Sequence, residues 1–239
     1  MIEILKIKEK VIHAIFLNRL NKFLIHAQIN ERDLTCHLSD TGRLVRLLFK
    51  GNDLLLIEKN TNKKRKTRCE VLAAKDPDTK DWVLINPRLH NDIVERILEK
   101  KLIALLASYS VVKREVRYKR SRFDFLLRSA RGNLAFLEIK GCTLFENNIG
   151  YYPDAPTKRG TRHVAELIEA LNENYEAFLF FLVPRSVLEV RPNWEIDPVF
   201  SRMMINAYEK GVKMLAGSIR LKNNTIYFIE QIPVNPRCF

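Results

Sequence analysis

The chain has 239 residues, a net charge of +13 and a pI of about 9.7, with 46% hydrophobic residues. That length suits one large domain or two modest ones, with enough apolar content for a real core. The charge points to a polyanionic partner, nucleic acid before an acidic membrane surface, and no apolar run approaches the roughly 20 residues of a membrane helix.

The basic excess is not confined to a tail. Residues 1–86 carry 17 basic and 11 acidic side chains, +6, and the rest carry 24 and 17, +7. The bland alternative is lysine enrichment that only aids solubility. The opening M-I-E-I-L-K-I-K-E-K alternates apolar and charged residues, unlike a secretory signal. Cys36, Cys69, Cys142 and Cys238 are scattered, with no C-x-x-C pair. This argues against a zinc ribbon or a disulfide framework and suggests reduced thiols in a cytoplasmic protein.

In chain order, the first 86 residues read as all-β. Short apolar runs begin at Ile2, Val11, Phe23, Leu34, Leu54, Arg65 and Trp82, with turn signals at Asp40-Thr41-Gly42 and Lys50-Gly51-Asn52-Asp53. Such spacing predicts a small five-stranded barrel of the oligonucleotide/oligosaccharide-binding (OB) type. Its candidate phosphate contacts are Arg19, Lys22, Arg43 and Arg46, together with the Lys63–Arg68 cluster that includes Arg65 and Lys66. A charged hairpin loop explains the cluster equally well. Residues 87–239 form the second expected unit. It starts with a bridging helix over 87–107, with an apolar stripe from Ile93 to Leu106. Glu95 and Glu99 share a side of that helix, as a solvated face or as neighbours of a metal.

Val111–Tyr118 reads as a strand, and Arg122–Lys140 as a hairpin turning at Arg131-Gly132-Asn133. On its first strand Phe123, Phe125 and Leu127 alternate with Arg122, Asp124 and Arg128. Folding about Arg131 sets Asp124 opposite Glu138 and Arg122 opposite Lys140, and Glu138 and Lys140 share a face. Two adjacent carboxylates repel unless a cation lies between them, and Mg²⁺ is the usual hard candidate. The solvated face of an edge hairpin is the alternative. Lys113, Arg114, Arg117, Lys119, Arg120 and Arg122 surround the pair and suit a phosphodiester.

A loop is expected over roughly Glu146–Thr157, then a helix over about Lys158–Asn172. Val164, Leu167, Ile168 and Leu171 would be its buried stripe, with Arg159, His163 and Glu166 on an exposed face. Ala177–Val183 suits a central strand, Asp197-Pro198 a helix start, and Val212–Ile219 and Thr225–Ile229 further strands. The order is that of an α/β mixed sheet. The apolar strands near the C-terminus are a candidate homodimer edge.

The run S-R-F-D-F-L-L…F-L-E-I-K-G-C-T-L…Y-P-D-A-P-T-K-R-G-T-R-H-V-A-E-L resembles the sugar fermentation stimulation protein family. So do H-L-S-D-T-G-R at His37–Arg43, R-K-T-R at Arg65–Arg68, V-L-I-N-P at Val83–Pro87 and D-P-V-F at Asp197–Phe200. The chain departs from the family pattern at Arg19-Leu20-Asn21-Lys22-Phe23, at Asp40 and at Tyr152. The resemblance implies an OB barrel followed by a restriction-endonuclease-like (PD-(D/E)xK) mixed-sheet α/β domain. It also implies DNA binding and a link to regulation of carbohydrate (maltose) metabolism genes. The residues matching the nuclease metal site are Asp124, Glu138 and Lys140.

The resulting expectation is an Mg²⁺- or Mn²⁺-dependent phosphodiesterase. Asp124, Glu138 and the Ile139 carbonyl would hold the metal, and Lys140 would orient water or stabilise phosphate charge. Arg122 and Arg159 would contact phosphate, and His163 would protonate the leaving oxygen. Asp154 is a further ligand or a loop cap, and Glu115 a weaker second-metal candidate. The alternative is a non-catalytic DNA-binding regulator that retains the nuclease fold. An RNA-binding protein comes third.

Overall fold

The computed structural model describes residues 1–59 and 67–238. Seven strands come first: β1 (Ile2–Lys6), β2 (Val11–Asn21), β3 (Leu24–Ile29), β4 (Arg32–His37), β5 (Asp53–Glu58), β6 (Cys69–Lys75) and β7 (Trp82–Leu84). Ala14 and Phe16 on β2, Ile25 and Ala27 on β3, and Leu54 and Leu56 on β5 are buried in one cluster. Each pair is two apart, so each strand turns one face inward. Antiparallel pairing runs β4-β3-β2-β5-β6, and a parallel contact of His37 with Glu70 joins β4 to β6. Among the described residues this closes the five-stranded OB barrel that the spacing predicts.

The helix beyond it is shorter than its apolar stripe suggests. A 3-10 turn at Pro87–Leu89 leads into α1 (His90–Glu99). Lys101 then takes a left-handed backbone, φ +54°, which ends the helical ladder. Ile103 and Leu106 still reach the core from a second 3-10 turn, so the periodicity outlasts the helix. β1 is the exception in the all-β stretch. Ile4 and Ile7 pack in the cluster of α1's Ile93 and Ile97, which draws the strand away from the barrel.

Three strands follow as a meander: β8 (Tyr109–Tyr118), β9 (Ser121–Ser129) and β10 (Leu134–Gly141). The expected loop at Glu146–Thr157 instead holds most of a hairpin, β11 (Leu144–Glu146) with β12 (Ile149–Tyr152). Asn147 and Asn148 both adopt positive φ between them, the backbone of a tight hairpin turn that Asn tolerates. Next come α2 (Lys158–Asn172), β13 (Glu176–Val183), β14 (Val190–Pro192), α3 (Pro198–Lys210), β15 (Lys213–Lys222) and β16 (Thr225–Ile232). Asp197 caps α3 as its Asp-Pro start predicts, its carboxylate accepting from the Phe200 N–H at 2.9 Å.

β10, β13 and β15 run parallel at the centre of this second sheet. β13 is apolar on both faces. Leu179 and Phe181 pack with Val164 of α2 and Phe200 of α3, and Phe178 and Phe180 with Ile93 and Ile97 of α1. Covered parallel strands carry such continuous apolar runs. β7 pairs with β6 and meets β15 at Leu221–Trp82, so thirteen strands among the described residues form one continuous sheet. β16 is paired by β15 on one side and β1 on the other. The expected C-terminal dimer edge is therefore already occupied within the chain. No helix among the described residues is long and apolar enough to cross a membrane.

A buried ion pair fastens the turn after β6 to the segment after β13. Arg185 donates to Asp76 at 2.5 Å, with both side chains nearly inaccessible. Removing one partner leaves an uncompensated buried charge. Asp76→Ala should cost about 3–5 kcal/mol in urea unfolding, and Asp76→Ala/Arg185→Met distinctly less.

Candidate active site

Gly132, at φ +89°, turns β9 into β10. The register runs Leu134 with Arg128 through Leu137 with Phe125, one step short of a Glu138–Asp124 pair. There the ladder stops. Asp124 Oδ2 accepts the Ile139 N–H at 2.7 Å, a side chain taking a strand's place. Arg122 therefore does not face Lys140. It pairs across β8 with Arg117 and binds Glu115 at 2.7 Å. The predicted single face for Phe123, Phe125 and Leu127 also fails. Phe123 packs with Phe136 in one cluster, while Phe125 and Leu127 lie in the other. The strand changes faces where Asp124 sits.

Glu138 projects toward α2 and Lys140 toward the barrel side, and both are buried, 4% and 9% exposed. Glu138 Oε1 accepts from Lys140 Nζ at 2.7 Å and contacts His163 Nδ1 at 2.6 Å. Arg159 Nε donates to His163 Nε2 at 3.3 Å, so Nδ1 is the proton-bearing nitrogen. His163 and Glu166 thus lie inside, not on the exposed face expected for them. The polar spacing concealed this because their partners come from distant strands. Glu166 accepts the Ser121 N–H at 3.0 Å and ties down the start of β9. Ile168 and Leu171 of the expected stripe are only partly buried.

Burial alone would raise the Glu138 pKa, but the charge of Lys140 and the hydrogen bond from His163 outweigh it and hold the carboxyl below its usual range. Burial likewise opposes the charge on Lys140, and Glu138, then Tyr152, restore it and raise its pKa. Asp124 has no such support. Burial first, then the charge of Glu138, push it up to about 7 against the Ile139 N–H and Lys140. Glu138 Oε2 is buried with no hydrogen-bond partner among the described residues.

The donor set can be tested against a divalent cation on these facts. No group of three or more His, Cys, Asp or Glu gathers to hold an ion among the described residues. Mg²⁺ does not need one, since it commonly takes one or two carboxylates and keeps several waters. An orphaned carboxylate oxygen beside a carboxyl that resists ionisation fits that kind of site.

Beside the hairpin lies a cleft of about 560 Å³, where Lys140 meets Lys22, Asp40 and Arg43 of the barrel. Asp154 bridges the two units by accepting the Leu44 N–H at 3.1 Å, which makes it a loop cap. Arg19 is fully engaged, donating to the carbonyls of Asn21, Lys22, Asp40, Gly42 and Arg43. It braces this loop and offers nothing to a phosphate. Lys22 and Arg43 are exposed at the cleft. Arg46 is held by Asp78 and Glu146. Arg65 and Lys66, with Lys63 and Lys64, lie outside the described residues.

Of the basic stretch, Arg114 is claimed by Asp92 and Glu95, and Lys119 by Glu169 and Glu173. Glu99 bonds Arg96. Neither Glu95 nor Glu99 belongs to the site. Glu115, at φ +55°, accepts from Asn91 and pairs with Arg122. Its charge adds a smaller push to Asp124.

Two cleft residues escaped the sequence reading. His90 opens α1 against Gly141, where any Cβ would collide with its ring. Burial lowers its pKa to about 4, so it stays neutral. Tyr152 is pushed up to about 12 by burial, against Lys140. The glycine directly after Glu-Ile-Lys is the one signal that something packs close there.

This architecture, an OB barrel followed by a mixed-sheet domain like those of restriction endonucleases, matches two domain profiles. Residues 17–85 match the SfsA N-terminal OB domain, and residues 88–225 the sugar fermentation stimulation protein RE domain. The chain belongs to the sugar fermentation stimulation protein family. A homolog from Thermosipho melanesiensis is 40% identical over 97% of each chain. One from Methanosphaera stadtmanae is 39% identical, covering 88% of this chain and 89% of its own. A solved structure, Pyrococcus furiosus SfsA in complex with Ca²⁺, superposes with a TM-score of 0.90 at 28% identity, over 98% of this chain and all of that one.

The Asp124 shift carries a sign. A carboxyl whose folded pKa lies above the unfolded value of 3.8 stabilises the fold fully below that pH, and loses the contribution as pH rises through about 7. In EDTA, Asp124→Asn should gain on the wild type between pH 4 and pH 8, by on the order of 1 kcal/mol after solvent screening. Urea midpoints at pH 4, 6 and 8 measure this. A constant difference would contradict the raised pKa.

Proposed function

We infer that this chain is a DNA-binding protein with a divalent-metal phosphodiesterase site on the β9–β10 hairpin. The observation that carries the reading is the buried, ionised Glu138 with a free Oε2, beside an Asp124 whose ionisation that same charge opposes. Asp124 and Glu138 would hold Mg²⁺ or Mn²⁺, with the Ile139 carbonyl alongside. The Ca²⁺ complex of the Pyrococcus relative supports divalent chemistry in this family. A bound divalent ion lowers the pKa of a ligand water and polarises a phosphoryl oxygen.

The protein groups have separate tasks. His163 orients Glu138, and both its ring nitrogens are engaged, so it is a positioning residue and not the proton donor. Lys140 gives one hydrogen to Glu138 and faces the cleft, where its remaining donors can orient water or meet phosphate. Arg159, exposed at the start of α2, holds His163. Lys22 and Arg43 extend the positive track onto the barrel. The overall charge of +13 suits a polyanion.

One observation favours the regulator reading, with its link to carbohydrate genes. Lys140 already compensates Glu138 without any metal. Incubation of supercoiled DNA with Mg²⁺, Mn²⁺ or EDTA separates the two. The expected result is metal-dependent nicking that falls roughly 100-fold in Glu138→Gln. Duplex binding in EDTA with no cleavage under any metal would establish the regulator instead.

Phosphate contacts are measurable apart from chemistry. Lys22→Ala and Arg43→Ala should each lower the slope of log affinity against log salt by about 1. Arg19→Ala should act through barrel stability, read by thermal unfolding, because all its hydrogen bonds go to the loop.

A further inference from the structure

A second cavity, of about 400 Å³, opens between the barrel loop at Arg43 and the segment that leads into α3. It shares Arg43, Thr143 and Asp154 with the cleft beside Lys140, so the two adjoin. Its own walls include Tyr151 and Trp194. The charges within it are balanced. Arg46 is held by Asp78 and Glu146, Arg191 binds Glu189, and Glu195 and Asp154 are also in the lining. A phosphate would find no net attraction there. A flat, neutral, aromatic group with polar edges would find ring surfaces, donors and acceptors. At the mouth, Arg43 is exposed and has no ion pair among the described residues. It is placed for the phosphate attached to that group.

We propose that this cavity binds an unpaired nucleobase of a nucleic-acid strand whose backbone passes Arg43 toward the Lys140 cleft. Trp194 and Tyr151 supply stacking surface, as aromatic side chains do in single-strand grooves. The size fits, since pockets for small organic groups start near 300 Å³. The Trp194 ring is held in place by its N–H, donated to the Cys238 carbonyl at 3.0 Å. The base is thereby anchored on one side of the carboxylates, and the substrate has a single-stranded end, flap or bubble. The proposal rests on the nucleic-acid reading above but not on cleavage.

The chain has two tryptophans, and Trp82 sits apart in the barrel strand β7, under Lys75. A Trp82→Phe protein therefore reports Trp194 fluorescence alone. It is titrated in EDTA with a thymidine hexanucleotide, a uridine hexanucleotide and a blunt hairpin duplex. Saturable quenching by a hexanucleotide is expected, and comparing the two sugars tells DNA from RNA. Trp194→Ala should lower the ratio of single-strand to duplex affinity about tenfold, and Trp194→Phe should restore most of it. Quenching by the duplex alone, or an unchanged ratio in a folded Trp194→Ala protein, would overturn the proposal. Saturable hexanucleotide quenching by a protein that, with Glu138 intact, cleaves no DNA under any metal would sink the phosphodiesterase and leave the pocket standing.

Discussion

The structure depends on a carboxylate kept ionised out of water. Glu138 sits on a strand covered by α2, where an isolated charge would neutralise. Lys140 and His163 prevent that, one from the same strand and one from the covering helix. Their joint demand fixes the approach of α2 to β10. It also explains the polar residues on an otherwise apolar helix face: His163 serves Glu138, and Glu166 serves the Ser121 N–H. Both partners of Glu138 use Oε1, so Oε2 is left without a hydrogen bond among the described residues.

Asp124 is the counterpart that the interior does not satisfy. It takes the Ile139 N–H, and this ends the β9–β10 ladder and turns Lys140 toward the barrel instead of toward Arg122. The same break lets β10 continue beside β13 alone. A local hydrogen bond thereby opens a groove between two units whose sheets are otherwise continuous through β7. Asp154, Arg19 and the Asp76–Arg185 pair hold the barrel against that groove.

The surface charge is less available than a count of residues implies. Arg114, Lys119 and Arg122 are answered by carboxylates from α1, α2 and β8. Lys22 and Arg43 have no ion pair among the described residues, and both stand at the cleft. The distinction between a cation that braces a loop, as Arg19 does, and one that meets a ligand is invisible to composition.

The sequence by itself determined the barrel, the central Ala177–Val183 strand, the Asp197 cap and the hairpin that carries Asp124 and Glu138. Each follows from local rules: period-two burial, an unbroken apolar run, cap chemistry and a turn that sets register. The family pattern added the restriction-endonuclease-like fold. Only the tertiary structure decided that His163 is buried on Glu138, that Asp154 caps a barrel loop, that β1 joins β16, and that His90 and Tyr152 line the cleft. Those contacts join residues far apart in the chain. Their energies come from desolvation and from partners that no spacing encodes, so the chemistry of the hairpin was legible while its surroundings were not.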